Sequence, residues 1–268
     1  MSAVGTLVVT DLDGTLLDHH TYQYDAAQAA LALCRQRRIP LIFNTSKTLA
    51  ESQALASALS LHWPMVVENG SAIHLPEPLE GEPRAVILGQ PRQQLVAWLQ
   101  RERQRAGFSV QGFSDWSVAE LAAHTGLSLA QAELAQQREY SEPLLWQDTE
   151  HAFLTFQASA RAQGFTLLKG GRFFHLLGQT DKGRATTWLR QHYHTRSGQP
   201  VQIIALGDGH NDSAMLAAAD VAVQIRSPVH PFPPKPAAKR VIQTELCGPA
   251  GWAQALLSLL DPQPAAAH

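Results

Sequence analysis

The stretch VVTDLDGTLLD, residues 8–18, decides the fold that this sequence predicts. The apolar residues 7–9 predict a short buried strand, and the run then breaks into aspartates, a glycine and a threonine. Asp11 and Asp13 lie two positions apart, a spacing that directs both side chains to one side of an extended segment. Two neighbouring carboxylates repel each other unless a positive charge lies between them, and a divalent metal ion is the simplest candidate. A polar turn with Gly14 at its bend is the alternative interpretation.

Two further apolar runs end in the same abrupt way. LIFN, residues 41–44, leads into Thr45, Ser46 and Lys47, and IIAL, residues 203–206, leads into GDGHND. Segments of helical composition follow these runs, so strands and helices alternate in both the first third and the last third of the chain. This alternation predicts an α/β fold, with a Rossmann-like parallel sheet and helices on both of its faces.

The middle of the chain differs in composition from its flanks. The proline-containing stretch LPEPLEGEP precedes it, and it carries helix and strand patterns of its own, including RQQLVAWLQRERQRAG and RFFHLL. We therefore interpret residues 83–178 as a second α/β unit inserted into the first. The predicted domains are a catalytic core formed by residues 1–82 and 179–268, and an inserted cap formed by residues 83–178.

Composition and charge limit the classes of function. The 268 residues carry a formal net charge of -2, which gives no general electrostatic basis for binding nucleic acid or an anionic membrane. No apolar stretch reaches the length of about 20 residues that crosses a bilayer. Two cysteines, Cys34 and Cys247, cannot form a disulfide framework, so we expect a reducing compartment, the cytosol. The expected partner is a small molecule, with neither nucleic acid nor membrane, and the oligomeric state stays open.

The polar strand ends predict one site, because ligands of open parallel sheets bind beyond the carboxyl ends of the strands. Asp208 and Asp212 add two carboxylates to Asp11 and Asp13, and such an oxygen-rich set suits magnesium better than thiophilic zinc. Lys182, at the start of another predicted helix, would supply a fixed positive charge. Carboxylates, a lysine and hydroxyl donors together suit phosphoryl transfer, which depends mostly on positioning and on charge neutralisation.

In chain order, DLDGT, a Thr or Ser after the second strand, Lys182 and GDGHND resemble the four motifs of the haloacid dehalogenase superfamily of phosphatases. The resemblance implies that Asp11 attacks phosphorus and forms an aspartyl-phosphate. It implies that Asp13 protonates the leaving oxygen and then activates water. Thr45 and Lys182 would hold the phosphoryl oxygens, and Ser46 would replace Thr45 if the second motif is shifted by one position.

The same resemblance implies a magnesium cofactor. Its ligands would be Asp11, the main-chain carbonyl of Asp13, and Asp208, with Asp212 close by or acting through water. Asn211 would orient the phosphate or the lysine, and a helix N terminus predicted there would favour an anion.

Four further stretches are similar to the family of mannosyl-3-phosphoglycerate phosphatases: FNTSKT (43–48), VENGS (67–71), REYSEP (138–143) and KGGRFFHLLG (169–178). FNTSKT departs from the TGR that is common at this place in related sugar phosphatases. The narrower resemblance covers nearly the whole chain and implies hydrolysis of mannosyl-3-phosphoglycerate to mannosylglycerate, an osmolyte. Some members also accept the glucosyl analogue. The substrate-binding residues predicted on this basis are Ser46, Lys47, Glu68, Asn69, Arg138, Arg172 and Asn211.

Arg138 and Arg172 are the candidates for contact with the carboxylate of such a substrate, because the planar guanidinium matches a carboxylate. A solvated surface position is the alternative for both, and Asn69-Gly70 is in the first place a hairpin turn signal. Other functions also stay open. They are a phosphomannomutase, a phosphatase of glucosyl-3-phosphoglycerate, sucrose phosphate or hexose phosphate, and a non-catalytic sensor of sugar phosphates. Since every catalytic position is filled, the sensor is disfavoured.

Overall fold

A computed structural model describes residues 5–78, 81 and 83–260. The chain divides into two compact units, one formed by Met1–Thr45 and Thr186–His268, the other by Ser46–Ala185. The predicted boundary after residue 82 falls at a residue outside the described ones, and the predicted ranges of core and cap stay a prediction.

Strands and α-helices alternate along much of the chain. Within the described residues the strands are β1 (Thr6–Thr10), β2 (Leu41–Asn44), β3 (Met65–Val67), β4 (Ala72–His74), β5 (Ala85–Ile87), β6 (Val110–Gly112), β7 (Ser141–Trp146), β8 (Thr166–Lys169), β9 (Phe174–Leu177), β10 (Gln202–Gly207), β11 (Val221–Arg226) and β12 (Arg240–Cys247). The α-helices there are α1 (Gln28–Gln36), α2 (Leu49–Ala58), α3 (Arg92–Ala106), α4 (Val118–Thr125), α5 (Leu129–Gln136), α6 (Glu150–Ala162), α7 (Lys182–Ser197), α8 (Ser213–Ala217) and α9 (Gly248–Leu260). No helix of the described part is both long and apolar enough to cross a bilayer.

The first unit is built on a parallel sheet. Its strands lie in the order β12, β11, β10, β1 and β2, and each neighbouring pair is parallel. In β1 the side chains of Leu7, Val8 and Val9 are all fully buried, as a strand covered on both faces of a parallel sheet requires. The prediction of an α/β fold with a parallel sheet is confirmed.

The register of this sheet brings three strand ends to one edge. Thr10, the last residue of β1, pairs with Phe43 of β2 on one side and with Leu206 of β10 on the other. The main-chain nitrogen of Asp11 then donates to the carbonyl of Leu206 at 2.9 Å. The polar residues that follow β1, β2 and β10 therefore start from neighbouring positions.

The second unit contains two antiparallel arrangements. β3, β4 and β5 pair in succession, and β6, β7, β9 and β8 form a separate four-stranded sheet. The helices α3 and α6 pack with this sheet in a buried cluster that contains Leu95, Trp98, Leu99, Val110, Leu144, Phe156, Ala160 and Leu176. The helices α4 and α5 contribute to a second cluster, formed by Phe113, Trp116, Leu121, Ala132 and Ala135. Both clusters consist of residues from the segment 83–178.

Candidate active site

Three buried carboxylates meet at the edge of the parallel sheet. Oxygen atoms of Asp11, Asp208 and Asp212 lie within 4.8 Å of one another. Asp11 follows β1, and the other two follow β10, so two neighbouring strand ends supply the group. Asp212 is fully buried, and Asp11 and Asp208 expose only 5% and 6% of their surface. Buried like charges at this separation repel each other strongly unless a cation compensates them.

The chemistry of this donor group fits a magnesium ion. Carboxylate oxygens are hard ligands, and magnesium is bound in proteins through one or a few carboxylates together with substrate phosphate and water. The group does not include the side chain of Asp13, whose predicted ligand atom is the main-chain carbonyl. Asp11, Asp208 and Asp212 are therefore the side chains that could hold a metal here.

Gly14 allows the loop after β1 to approach Asp208 closely. Its φ is +77°, in the left-handed region, and a Cβ built at this position would lie 2.6 Å from Oδ2 of Asp208. The hydroxyl of Thr15 donates to Oδ1 of Asp208 at 3.3 Å. The residues that follow Asp13 in DLDGT thus shape the surroundings of an aspartate from the last motif, which the alternative of an isolated polar turn does not explain.

Asp212 also shapes the loop after β10. Its Oδ2 accepts a hydrogen bond from the main-chain nitrogen of Gly209 at 2.9 Å. Residues 210–212 form a 3-10 turn, which places the partly buried Asn211 directly ahead of Asp212 and of the short helix α8. The carboxylate of Asp212 therefore has a structural partner in addition to its place in the carboxylate group.

The residues predicted to hold the phosphoryl group lie at the ends of elements. Thr45 follows β2 directly and is fully buried. In the second unit, Lys182 is the first residue of α7 and is likewise fully buried. Oδ1 of Asp181 caps this helix by accepting from the main-chain nitrogen of Arg184 at 2.8 Å. Lysine is almost never fully buried unless it is paired, so its complete burial marks Lys182 as a candidate for function.

The predicted substrate residue Glu68 lies in a polar cluster of the second unit. Glu68 exposes only 2% of its surface. Its carboxylate accepts hydrogen bonds from the main-chain nitrogens of Glu139 (2.9 Å) and Tyr140 (3.1 Å) and from Oγ of Ser141 (2.5 Å). The stretches VENGS and REYSEP, which are far apart in sequence, are thus in direct contact.

Arg138 belongs to the same cluster. Its side chain is only 6% exposed, and its Nη1 donates to the carbonyl of Ser46 at 3.0 Å and to Oγ of Ser141 at 3.1 Å. Its Nη2 lies 3.9 Å from Oε2 of Glu51, whose other oxygen lies 3.8 Å from Nζ of Lys47. The predicted residues Ser46, Lys47, Glu68 and Arg138 are therefore brought together.

Arg172 has different surroundings. It is exposed, and its guanidinium donates to the main-chain carbonyls of His124, at 3.1 Å, and of Thr125. These carbonyls belong to the last turn of α4, where helix groups lack partners within the helix and a positive charge is favourable. The contacts of Arg172 within the second unit are those of a side chain that caps a helix C terminus.

Comparison with known proteins agrees with these motifs. A model of the haloacid dehalogenase-like hydrolases matches residues 8–124. A glucosyl-3-phosphoglycerate/mannosyl-3-phosphoglycerate phosphatase from Methanococcoides burtonii is 36% identical over 264 residues, which cover 95% of this chain and 97% of that protein. The chain belongs to the haloacid dehalogenase-like hydrolases. Among them it is a phosphatase, a hydrolase of phosphoric monoesters.

Solved structures of two phosphatases share the fold. A phosphatase from Bacteroides thetaiotaomicron matches with a TM-score of 0.67 at 18% identity, over 97% of this chain and 96% of that chain. The sucrose-phosphatase from Synechocystis, solved in complex with sucrose and phosphate, matches with a TM-score of 0.60 at 16% identity, over 96% of this chain and 98% of that chain. At this identity the likeness concerns the fold alone.

One residue of this hydrolase that contacts the carboxylate group is not predicted from the sequence. Nε2 of His230 lies 3.3 Å from Oδ2 of Asp208. The proline-rich loop that carries His230 is held by the fully buried Gln224. Nε2 of Gln224 donates to the carbonyls of Pro233 (2.9 Å) and Pro234 (3.2 Å). No local pattern marks this histidine, because its position depends on hydrogen bonds made by a neighbouring strand.

A second unpredicted residue, His175 of β9, lies in the other unit of the hydrolase. Burial, followed by the positive charges of Arg138 and Lys182, lowers the pKa of His175 to about 3. Its Nδ1 is buried and has no hydrogen-bond partner among the described residues. The imidazole is therefore neutral near pH 7 and adds no positive charge beside the lysine and the arginine.

Proposed function

We propose that this phosphatase hydrolyses mannosyl-3-phosphoglycerate, or its glucosyl analogue, to the glycosylglycerate and phosphate through an aspartyl-phosphate intermediate. The observation that carries the reaction type is the group of buried carboxylates, Asp11, Asp208 and Asp212, at the edge of the parallel sheet. The proposed substrate rests on the relative that is 36% identical over 95% of the chain. A mannosylglycerate product would serve as an osmolyte.

In the first half of the reaction, a carboxylate oxygen of Asp11 forms a bond to phosphorus while the bond between phosphorus and the glycerate oxygen breaks. Asp13 transfers a proton to that leaving oxygen. In the second half, Asp13 takes a proton from a water molecule whose oxygen attacks phosphorus, and the bond to Asp11 breaks. Phosphate is released and both aspartates return to their starting states.

Other residues of the chain hold the transferred group. Thr45 and Lys182, with Ser46 as the alternative to Thr45, would donate to the phosphoryl oxygens, and Asn211 would orient the phosphate or the lysine. The side chains of Asp11, Asp208 and Asp212, with the main-chain carbonyl of Asp13, would bind magnesium. The bound ion would neutralise charge on the phosphoryl oxygens.

Removal of magnesium is expected to stop turnover. Chelation should reduce phosphate release to background, and added magnesium should restore it, because the ion would offset the repulsion between the buried carboxylates and the negatively charged phosphate. Titration calorimetry of magnesium should show a larger loss of affinity for Asp208→Asn than for Asp212→Asn, since the family resemblance implies that Asp208 is a direct ligand and that Asp212 lies close by or acts through water. Full activity in excess chelator would remove the metal from the mechanism.

We further propose that residues 83–178 act as a cap that selects the substrate, with Arg138 or Arg172 in contact with its carboxylate. Loss of a charge-assisted contact should cost roughly 1.5–3 kcal/mol, or about 10–150-fold in kcat/KM. Arg172→Ala should show this loss with mannosyl-3-phosphoglycerate and little loss with a small aryl phosphate. Arg138→Ala should affect both substrates, because Arg138 also binds Ser46.

The exposed Arg161 of α6 provides the matched control for these variants. Arg161→Ala should leave kcat/KM unchanged for both substrates. If Arg172→Ala behaves like this control, Arg172 only caps α4.

A phosphate-release panel tests the proposed function. It includes mannosyl- and glucosyl-3-phosphoglycerate, sucrose 6-phosphate and simple hexose phosphates, each with magnesium. We expect the two glycosyl-3-phosphoglycerates to give the highest kcat/KM. Preference for a hexose phosphate would overturn the proposed substrate. Transfer of the phosphoryl group to a second sugar position, in place of free phosphate, would indicate a phosphomutase.

A further inference from the structure

Residues 68–70 form a turn with an unusual backbone, here called the ENG turn. Glu68, Asn69 and Gly70 have φ values of +50°, +57° and +87°, so all of them lie in the left-handed region. That conformation is unfavourable for residues with a Cβ and persists only where the surrounding structure stabilises it. All three residues are buried. The contacts of the turn should therefore explain how this left-handed conformation is stabilised.

The first contact is with the segment that follows β2. The main-chain nitrogen of Glu68 donates to the carbonyl of Lys47 at 2.9 Å. The neighbouring carbonyl, that of Ser46, accepts from Arg138 at 3.0 Å. The successive carbonyls of Ser46 and Lys47 thus accept hydrogen bonds from the side chain of Arg138 and from the main chain of Glu68, respectively.

The second contact is with the start of β7. The carboxylate of Glu68 accepts from the main-chain nitrogens of Glu139 and Tyr140 and from Oγ of Ser141. Because Ser141 also accepts from Arg138, the side chain that holds Ser46 is linked to the ENG turn through this hydroxyl. The carboxylate of Glu68, which the resemblance predicts to bind substrate, thus accepts hydrogen bonds from three groups of the protein.

The third contact is with the N terminus of α7. The carbonyl of Gly70 accepts from Oγ1 of Thr180 at 2.8 Å. A Cβ built on Gly70 would lie 2.2 Å from the carbonyl oxygen of Asp181 and 2.9 Å from the nitrogen of Lys182. Only glycine allows this approach, and the atoms it approaches are main-chain atoms of the first turn that carries Lys182.

We propose that the ENG turn positions the phosphate-binding groups of the second unit. The backbone of the turn fixes the position of Lys182, at the start of α7, relative to Ser46 and Lys47. The carboxylate of Glu68 binds the start of β7 to the same turn. Glu68 and Gly70 are positioning residues that act through these neighbours. The inference rests on the proposed phosphate-binding roles of Lys182 and Ser46.

Gly70→Ala tests the proposal. The new methyl group must push away the carbonyl of Asp181 and with it the first turn of α7, and a displacement of about 1 Å at a reacting group costs on the order of 10²-fold. We expect the kcat for an aryl phosphate to fall by about that factor. The dissociation constant of inorganic phosphate, measured by calorimetry with magnesium present, should rise several-fold.

Gly126→Ala is the matched control. Gly126 also has a left-handed backbone, with a φ of +78°, but a Cβ there would meet nothing within 4 Å. Both variants therefore carry the same kind of backbone strain, and only Gly70→Ala moves Lys182. Phosphate binding by Gly70→Ala that equals binding by Gly126→Ala would overturn the proposal.

Thr180→Val keeps the test informative if Gly70→Ala does not fold. It removes the hydrogen bond to the buried carbonyl of Gly70 at nearly constant shape. We expect the melting temperature to fall by the loss of this one hydrogen bond. We expect phosphate binding by the folded variant to weaken several-fold. Unchanged phosphate binding in this folded variant would overturn the proposal. Wild-type protein that binds phosphate but hydrolyses no sugar phosphate would overturn the proposed substrate alone, and wild-type protein that binds no phosphate would overturn both.

Discussion

Replacing Asp11 by asparagine should abolish phosphate release from every ester that the wild-type protein hydrolyses. A carboxylate oxygen of Asp11 is proposed to form the bond to phosphorus, and a neutral carboxamide is a poor nucleophile. Loss of a catalytic nucleophile can cost on the order of 10⁶-fold in kcat, so turnover should fall below detection. Asparagine has nearly the same shape as aspartate and removes one of several close buried negative charges. The melting temperature without magnesium should therefore not fall.

Asp18, at the end of the same stretch of sequence, supplies the control for this variant. Its Oδ1 accepts from the main-chain nitrogens of His20 (3.0 Å) and Thr21 (2.9 Å), and these hydrogen bonds lower its pKa. Asp18→Asn should lose some stability of this turn but keep most of the activity. Rapid acid quenching with labelled substrate should recover phosphate bound to wild-type protein and none bound to Asp11→Asn. Activity retained by Asp11→Asn would show that another residue is the nucleophile.

The central strands of the sheet are predictable because of where they lie. A parallel strand that is buried on both faces consists of a short run of apolar residues, and the sequence shows such runs in β1, β2 and β10. The edge strand β12 has no such apolar run. It pairs only with β11, and its residues are mostly exposed or partly exposed, so its sequence, RVIQTELC, shows neither an apolar run nor a clean alternation.

The helices of the second unit differ in the same way. The sequence pattern predicts α3 but not α6. In α3, the residues buried at helical spacing are Leu95, Trp98, Leu99 and Glu102. Within α6 only Phe156 and Ala160 are buried among the described side chains, while Leu154 is 57% exposed. An apolar stripe this narrow is difficult to separate from irregular structure by its pattern.

The candidate site is predictable where motifs are local and unpredictable where it depends on tertiary contacts. Asp11 and Asp208 could be placed together because parallel strands end at the same edge of a sheet. The contact of Glu68 with Ser141 joins positions 73 apart, and no residue type in that stretch requires a left-handed glutamate. The position of His230 beside Asp208 depends likewise on the hydrogen bonds of Gln224. Such contacts exist only once the chain has folded.

Replacing Asp13 by asparagine should lower kcat/KM for the glycosyl-3-phosphoglycerates by about 10²–10⁴-fold, the usual contribution of a positioned acid or base. This range corresponds to about 2.7–5.5 kcal/mol of transition-state stabilisation. The glycerate oxygen leaves as a strongly basic alkoxide unless it receives a proton, and asparagine has none to give. Since Asp13 is proposed to act on both halves of the reaction, kcat should fall as well.

The leaving group distinguishes this role from a structural one. An aryl phosphate with a weakly basic leaving group needs no proton to release it, so kcat/KM of Asp13→Asn for that substrate should fall far less than for the sugar substrate. Hydrolysis of the aspartyl-phosphate would still lack its base. Labelled phosphate from the aryl substrate should therefore accumulate on Asp11 in the variant, to a level above that of wild-type protein at steady state. Equal losses of kcat/KM for both leaving groups, with no accumulation, would assign Asp13 to the structure of the loop after β1, because a distorted loop would slow the attack of Asp11 on either ester alike.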